Sequence, residues 1–532
     1  MFLHVLVELQ FLFSSLVALF LVLGCGGSFL WFAPSFNSNS LSIFGALGLL
    51  EVGMLSIISN FFVKLDTSFF ALLTMISFFG WIKLVKKTKV NDIFLFTGVA
   101  IFYWVAGLRA GSTFDTSLYH IPMIRWMHES NLPFGLANLH SRFGFWNFWF
   151  SICGGVSSGG VLPYGVFTLN IVLVTYALTD FIRFATNAVV SKNTWFCISI
   201  LILISLVDFR TFSMGQKSPN ADFAGVVLAL WSASYLLMRS EERFNWKVPV
   251  LLLSGLSILI KLNQAYLGLA ILLVIASSFK KFKMEMRTLI VPVGMIAVAA
   301  LLMILKSFWL SGCLVFPVKS TCFPVSWRVS DGMNHDLVYW IMRWARNAGD
   351  PEAGVFNYWA WVPTWWNSNS TAKIISSTLG LSAVWLIAKA ALRKKLQTPD
   401  LLTLGIFGCG TAYWFLTAPD LRFGYGGFAV IFCLFLGIFL NQYFSRFKKP
   451  VLIGVGISLT LSCVGQIIRA DDFGASTLLG KSGVIVPKVN AQGQTIYESN
   501  ECWDSSPPCT PSVDYGVIFI KKGPWTFFEK KL

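Results

Sequence analysis

The sequence predicts an all-α polytopic membrane protein with about fourteen transmembrane helices. Hydrophobic residues make up 55% of the 532-residue chain and charged residues only 12%, whereas soluble proteins carry about 25% charged residues. The mean hydropathy is +0.68. Many apolar runs are about 17–23 residues long, the length that crosses a hydrocarbon core of about 30 Å. Together these observations exclude an ordinary soluble globular protein.

The apolar runs define the predicted spans. A shorter apolar run at 144–158 predicts a re-entrant or interfacial helix, because it is too short to cross the bilayer. No Lys or Arg precedes Lys64, so the first run lacks the basic segment of a secretory signal and is predicted to be a retained helix. The predicted spans are 6–31, 41–63, 67–83, 92–108, 162–183, 194–208, 219–238, 247–260, 262–279, 288–310, 373–392, 400–417, 424–443 and 450–467.

The net charge of +16 comes largely from basic residues in short loops between spans. Such loops stay in the cytoplasm and face anionic lipid, so nucleic acid is not predicted as a partner. When the predicted spans are counted, six basic clusters fall on the same side. They are Lys83, Lys86, Lys87 and Lys89; Arg183 and Lys192; Arg239, Arg243 and Lys247; Lys280, Lys281, Lys283 and Arg287; 393–395; and Arg446, Lys448 and Lys449.

This orientation divides the chain into three predicted parts. Residues 1–89 form N-terminal transmembrane helices, and residues 90–467 form a core with outside loops at 109–161 and 311–372. Residues 468–532 form a small extracytoplasmic segment that covers the loops.

Four of the ten cysteines lie in outside loops, in the local pairs Cys313/Cys322 and Cys502/Cys509. Disulfides form in oxidising compartments, so two disulfides are predicted. Zinc is disfavoured because the chain has no Cys-x-x-Cys motif and no histidine close to these cysteines in sequence. The other cysteines fall in apolar segments and are predicted to be buried small hydrophobes.

The loop at 109–144 carries the main predicted chemistry. Asp115 and His120 are the predicted catalytic residues and lie just outside a span. His120, Ile124 and Met127 can share one face of a short interfacial helix. A carboxylate there suits general-base catalysis, and arginines suit a phosphate. The alternative is that Asp115 caps the next helix and the histidines have an interfacial role. The predicted substrate-binding residues of this loop are Arg125, His128, Glu129, His140 and Arg142.

Three further polar residues are predicted to reach the same side. Arg422 lies in the turn TAPDLRFGYGG between two spans, and either anchors a lipid head group or binds phosphate. Lys261 separates two apolar stretches and is a functional candidate, although its long stem can also snorkel to the interface. Asp222 lies at the outer end of a span, where Ser218 or Asn220 explains helix capping better.

These features resemble the type C glycosyltransferase superfamily, in a poorly characterised bacterial branch. FDTSLYH (114–120) is similar to the acidic motif of its first outside loop, and PDLRFGYG (419–426) and SGCLVFP (311–317) resemble later motifs. The resemblance covers roughly residues 90–450 and implies that Asp115 is the catalytic base. The chain departs from the family in its three additional N-terminal spans. It also has no clear Asp-x-Asp or Glu-x-Asp pair in the second outside loop, which puts metal dependence in doubt.

The resemblance implies a bacterial inner-membrane enzyme whose site faces the periplasm. It would transfer a sugar from a polyprenyl-phosphate donor to an extracytoplasmic glycan, lipid or protein, in contact with membrane lipid. No cofactor is predicted, and no motif supports a divalent metal. The alternatives are a polysaccharide polymerase or ligase, which also uses lipid-linked sugars, and a transporter or lipid flippase. The last predicts ionisable residues inside spans, for which Glu51, Asp180, Lys306 and Lys389 are candidates.

Overall fold

The fold is largely α-helical. A computed structural model describes residues 2–33, 40–186, 192–206, 215–240, 245–278, 282–346, 359–368, 370–391, 396–468 and 485–530. Arg243, Lys280, Lys281 and residues 393–395, which contribute to the predicted orientation, lie outside the described residues.

The first half of the chain contains helices α1 to α9, with a π-helix between α4 and α5. Short apolar α6 lies in the segment predicted to be re-entrant or interfacial and is too short to span a bilayer. The helices are α1 (Phe2–Phe32), α2 (Leu41–Phe62), α3 (Thr67–Leu84), α4 (Val90–Ala106), the π-helix (Thr116–His120), α5 (Ile121–Glu129), α6 (Phe148–Val156), α7 (Leu169–Thr186), α8 (Lys192–Leu206) and α9 (Ala221–Leu237).

The second half continues with helices and ends in short strands. The helices are α10 (Lys247–Ile260), a 3₁₀ segment (Leu262–Leu267), α11 (Gly268–Ser278), α12 (Phe282–Ser311), α13 (Asp331–Arg346), α14 (Trp361–Ser368), α15 (Ser370–Ala391), α16 (Thr398–Thr417), α17 (Leu421–Tyr443) and α18 (Lys448–Ile468), and the strands are β1 (Val486–Val489), β2 (Thr495–Glu498), β3 (Cys509–Thr510), β4 (Val517–Lys522) and β5 (Trp525–Lys530).

Each predicted span overlaps one of these helices. Among the described residues, seven helices are long and apolar enough to cross a membrane, and five further apolar helices are shorter. The chain is therefore a helical membrane protein with at least these seven candidate spans. The predicted total of about fourteen stays a prediction.

Close backbone contacts hold α1 against α2 and α3. A Cβ atom on Gly48 of α2 would lie 1.9 Å from the Val22 carbonyl oxygen of α1, and one on Gly80 of α3 would lie 1.8 Å from the Gly24 carbonyl oxygen. Glycine is needed at these contacts, as is typical of helix pairs in membranes, where small residues let backbones approach.

The outer faces of several helices are apolar and uncovered. Only 6% of the most apolar stretch around α18 is buried, and Ile453, Ile457 and Leu461 on this helix are exposed. A continuous surface of this kind is unfavourable in water and favourable against lipid chains, which supports the membrane assignment.

The C-terminal residues form two small sheets, which the sequence analysis did not predict. Strands β1, β2 and β3 form one sheet, and β4 and β5 pair as a hairpin. The Phe528 amide donates to the Phe134 carbonyl and the Phe134 amide donates to the Thr526 carbonyl, both at 2.8 Å. The C-terminal unit therefore docks on the 109–144 loop by backbone pairing, and its extracytoplasmic location stays a prediction.

Both predicted disulfides, Cys313–Cys322 and Cys502–Cys509, are present. Four of the six cysteines predicted to be buried, Cys25, Cys153, Cys197 and Cys433, are buried, whereas Cys463 is half-buried and Cys409 is exposed. The prediction of burial is wrong for Cys409, because α16 buries only part of its surface and Cys409 lies outside that part.

Candidate functional site

Asp115 lies at the start of the π-helix that leads into α5. Helix α4 ends at Ala106, the chain turns through Gly107, and the Thr116 amide donates to the Thr113 carbonyl at 3.0 Å. Asp115 occupies the N-terminal capping position of the π-helix, but its carboxylate accepts no capping hydrogen bond. Helix capping, the alternative role for Asp115, therefore does not account for its side chain.

Two arginines from distant parts of the chain hold the Asp115 carboxylate. Arg142 Nη1 lies 3.0 Å from Oδ1, and Arg422 Nη1 lies 3.0 Å from Oδ2. Arg142 comes from the 3₁₀ turn Ser141–Gly144 and packs over the Tyr119 ring, whereas Arg422 lies in the first turn of α17. Each carboxylate oxygen thus has its own cationic partner.

The turn before α17 fixes the position of Arg422. Asp420 caps the helix by accepting a hydrogen bond from the Arg422 amide at 3.0 Å, and its other oxygen lies 3.3 Å from Arg422 Nε. The capping carboxylate therefore also orients the guanidinium that reaches Asp115.

A second ion pair, Lys261–Asp222, lies beside the first. Helix α10 ends at Ile260, so Lys261 stands at the predicted break between two apolar stretches, and its ammonium contacts the Asp222 carboxylate. The Phe423 ring joins the two pairs: its centroid lies 4.3 Å from Lys261 Nζ and 4.8 Å from Arg422 Cζ. Because Lys261 and Arg422 contact the same aromatic ring, both cations have partly apolar surroundings. Electrostatic contacts are stronger there than in water.

Ser218 connects the π-helix to the segment before α9. Its hydroxyl lies 2.6 Å from Thr116 Oγ1 and 3.4 Å from His120 Nδ1. Asn170 Nδ2 donates to the Ser218 carbonyl at 2.9 Å, and Asn220 caps α9. The capping residue is thus Asn220, one of the two that the sequence analysis favoured over Asp222, and Asp222 is left to pair with Lys261.

His120 is buried and neutral at physiological pH. Burial lowers its pKa to about 3, and the positive charges of Lys261 and Arg422 act in the same direction against the opposing charge of Asp222. A neutral imidazole can donate or accept a hydrogen bond at this place, but it does not add a positive charge to the site.

Asp115, His120, Asp222 and Arg422 line one cavity of about 580 Å³. It lies where the C-terminal end of α4 meets the N-terminal ends of α9 and α17. Loops that the sequence places on one side of the membrane are therefore brought together. The cavity is lined by Arg109, Ala110, Gly111, Ser112, Thr113, Phe114, Asp115, His120, Asn220, Asp222 and Arg422.

Four predicted binding residues have their contacts elsewhere. Arg125 pairs with Glu129 at 2.6 Å and with Asp504 of the C-terminal unit at 3.3 Å. His128 Nε2 lies 2.9 Å from the Gly154 carbonyl oxygen, and burial lowers the pKa of this histidine. Burial, aided by the charge of Arg142, lowers the pKa of His140 to about 3. These contacts suit packing of the loop, and the predicted binding roles of these residues stay predictions.

Arg109, Ser218 and Asn220 belong to the site but were not among the predicted binding residues. A signal for Arg109 was present in the sequence, because basic residues are expected mainly on the cytoplasmic side and Arg109 directly follows a span that exits on the other side. No local signal links Ser218 to Thr116, since the contact joins residues 102 positions apart.

The described residues contain no group of three or more His, Cys, Asp or Glu side chains that could hold a metal ion. Asp115 and Asp222 are each neutralised by basic side chains. The two carboxylates of the cavity are thus each part of an ion pair.

The fold and this cavity define a polytopic helical membrane protein with a charged site at the ends of its helices. A family described as a domain of unknown function, DUF8201, matches residues 9–429, and the chain belongs to this family. No curated protein matches the chain significantly.

Proposed function

We propose that the protein is a membrane glycosyltransferase that uses a polyprenyl-phosphate sugar, with Asp115 as the general base. The observation that carries the proposal is the Asp115 carboxylate held between Arg142 and Arg422 at the edge of a cavity of about 580 Å³. This volume falls within the usual range of about 300–1,000 Å³ for small-molecule sites.

The proposed reaction needs one base and one phosphate site. Asp115 removes the proton from an acceptor hydroxyl, and the resulting oxygen attacks the anomeric carbon of the donor. The bond between that carbon and the phosphate oxygen breaks, and the polyprenyl phosphate leaves with the electron pair. Arg422 is suited to hold the phosphate, because its guanidinium matches phosphate oxygens bidentately. The N-terminal ends of α9 and α17 add favourable dipoles for an anion.

The surroundings suit a lipid-linked donor. The cavity lies at one end of α4, and this apolar helix exposes Phe94 and Ile101, so a polyprenyl chain can lie against it while its phosphate enters the cavity. The two disulfides support a location in an oxidising compartment, such as the periplasmic face of a bacterial inner membrane. The acceptor would then be an extracytoplasmic glycan, lipid or protein.

The test compares the polyprenyl-phosphate sugar pool and the cell-envelope glycans, by mass spectrometry, in cells that produce wild type or Asp115→Asn. The transfer rate of the variant should be at least about a hundredfold lower than that of wild type, which is the usual contribution of a general base. Its membrane insertion should stay normal. Asp336→Asn is the matched control, because the Asp336 side chain is 74% exposed. An Asp115→Asn variant with full transfer would refute the assignment.

A polymerase or ligase would use the same site and differ in product. It would lengthen a glycan chain in the same mass spectra, whereas a simple transferase adds single sugars.

A transporter or flippase has one specific observation in its favour. Three of the four predicted ionisable candidates lie inside candidate spans with hydrogen-bond partners: Asp180 with Tyr235 at 2.7 Å, Lys306 with Ser151 at 2.7 Å, and Glu51 with Ser28. Lys389 instead contacts Gln442 near the end of α15. Lipid or sugar movement across proteoliposomes that requires Asp180 or Lys306 but not Asp115 would favour this function.

A further inference from the structure

We infer that the donor phosphate takes Arg422 from Asp115, with Arg109 as a second phosphate ligand, so that the base is released only when the donor is bound. This inference rests on the proposed function and assigns a ligand exchange to the same cavity. Both oxygens of the Asp115 carboxylate are in ion pairs, and a carboxylate in this state is poorly placed to accept a proton.

The two partners of Asp115 differ in access. Among the described residues, Arg422 lines the cavity and Arg142 does not. The side chains of Arg422 and Arg142 are 44% and 34% exposed, so the difference between them lies in which one faces the cavity. An anion entering the cavity therefore meets Arg422, whereas Arg142 contacts Oδ1 without lining the cavity.

Charge is conserved in the exchange. A sugar phosphodiester carries one negative charge, as Asp115 does, so the donor can replace the carboxylate on Arg422 without leaving a net charge. Asp115 keeps Arg142 on Oδ1, and its Oδ2 becomes free to accept the acceptor proton. Asp420 continues to hold Arg422 Nε at 3.3 Å, so the guanidinium stays in place during the exchange.

Arg109 supplies the second cation. It lines the cavity, and within the described part of the chain it forms no ion pair and its buried Nε has no hydrogen-bond partner. Lys261 is less suited, because its ammonium is already paired with Asp222. Buried donors without partners are uncommon, and a phosphate oxygen is a suitable acceptor for the Arg109 guanidinium.

The exchange predicts an unusual sign for one variant. If the Asp115 carboxylate competes with phosphate for Arg422, then Asp115→Asn should bind a polyprenyl phosphate about threefold to fivefold more tightly, the size of a partly exposed ion pair. Arg142→Gln should instead weaken the binding of polyprenyl phosphate, because Arg422 would then be the remaining cationic partner of Asp115 and would be harder to displace from it. Arg422→Gln and Arg109→Gln should each weaken binding about tenfold or more, because charged hydrogen bonds to phosphate are lost.

The experiment titrates a polyprenyl phosphate into full-length protein in phosphatidylcholine nanodiscs, with the unphosphorylated polyprenol and inorganic phosphate as separate probes. Thermal unfolding of each variant checks the fold, and Asp336→Asn is again the control. Tighter binding by Asp115→Asn and weaker binding by Arg109→Gln support the inference. The same pattern with inorganic phosphate alone supports the exchange but assigns it to a soluble donor.

Two negative results have different meanings. Unchanged or weaker binding by Asp115→Asn, together with lost glycosyl transfer, refutes the exchange and leaves the proposed function standing. Binding of polyprenyl phosphate no tighter than polyprenol, in wild type and in every variant, overturns both.

Discussion

Replacing Lys217 by methionine should destabilise the protein by about 3–5 kcal/mol, because the change leaves Glu8 as an unpaired buried carboxylate. Lys217 Nζ lies 2.6 Å from Glu8 Oε1 and donates to the Leu108 carbonyl at 3.1 Å. The two side chains are 0% and 2% exposed. Burial lowers the pKa of Lys217, and the nearby Glu8 carboxylate opposes this effect.

The size of the expected loss in unfolding free energy follows from the burial of both residues of the pair. A pair in water contributes little, since solvent screens the attraction and competes for both ions. Solvent does not reach Lys217 or Glu8, so removing one partner carries the desolvation cost of the other. The Glu8→Leu/Lys217→Met double variant removes both charges, and it should recover most of the lost stability.

The assay is the free energy of unfolding from SDS titration in mixed micelles. Lys319→Met is the matched control, because the pair of Lys319 with Asp331 is exposed at 66% and 52%, and little change is expected there. A Lys217→Met variant that loses less than about 1 kcal/mol, the range of exposed pairs, would refute this reasoning. So would a double variant less stable than the single one.

The same change should also reduce activity, because Lys217 precedes Ser218, which contacts the π-helix that carries His120. Glycosyl transfer should fall in Lys217→Met and recover in part in the double variant. Unchanged glycosyl transfer in Lys217→Met would show that the buried Lys217–Glu8 pair does not support the site.

Three further predictions test the fold around the site. Replacing Cys502 and Cys509 by serine should cost about 2.5 kcal/mol of unfolding free energy, the chain-entropy value for so short a loop. Hydrogen exchange in 116–120 should rise, because the neighbouring Trp503 amide donates to the Ser117 carbonyl at 3.1 Å. Unchanged exchange would show that the C-terminal unit does not hold the π-helix. Gly48→Val should lower the yield of folded protein in gel filtration, since overpacking costs about 1–3 kcal/mol or more. Gly98→Val, at an open position, should not lower the yield. Equal yields of the two variants would contradict the close packing of α1 on α2. Because the pKa of His120 is low, the unfolded protein binds a proton that the folded protein does not bind between pH 6.5 and about 3, so the stability from this group is full above pH 6.5 and falls below it. From pH 7 to 5.5 this histidine should contribute a loss of about 1 kcal/mol in unfolding free energy. The resulting drop in Tm should be smaller in His120→Gln, and an equal drop in the variant would contradict the pKa shift.

The positions of the helices could be predicted because their signal is local. Each predicted apolar run overlaps a helix of the structure, and α10 ends at Ile260, directly before the predicted break at Lys261. The pairs Cys313/Cys322 and Cys502/Cys509 were equally accessible to prediction, because both partners are close along the chain.

The candidate site was predictable in part. Asp115, Asp222, Lys261 and Arg422 were selected as polar residues at the outer ends of spans. Asp115, Asp222 and Arg422 line one cavity, and Lys261 pairs with Asp222 beside it. Arg125 was selected by the same reasoning, yet it pairs with Asp504 of the C-terminal unit. Composition of a loop cannot separate these cases, because each arginine has the same chemistry and differs only in what the fold brings near it.

By itself, the sequence determined that this is a helical membrane protein with a polar loop around Asp115, since hydropathy and span length act locally along the chain. Only the tertiary structure decided which charges meet. Asp115 and Arg422 are 307 residues apart and their pairing depends on how α17 packs beside the π-helix, just as the buried partner of Lys217 comes from α1, 209 residues away. Such contacts arise from helix packing and loop paths, which no local pattern encodes.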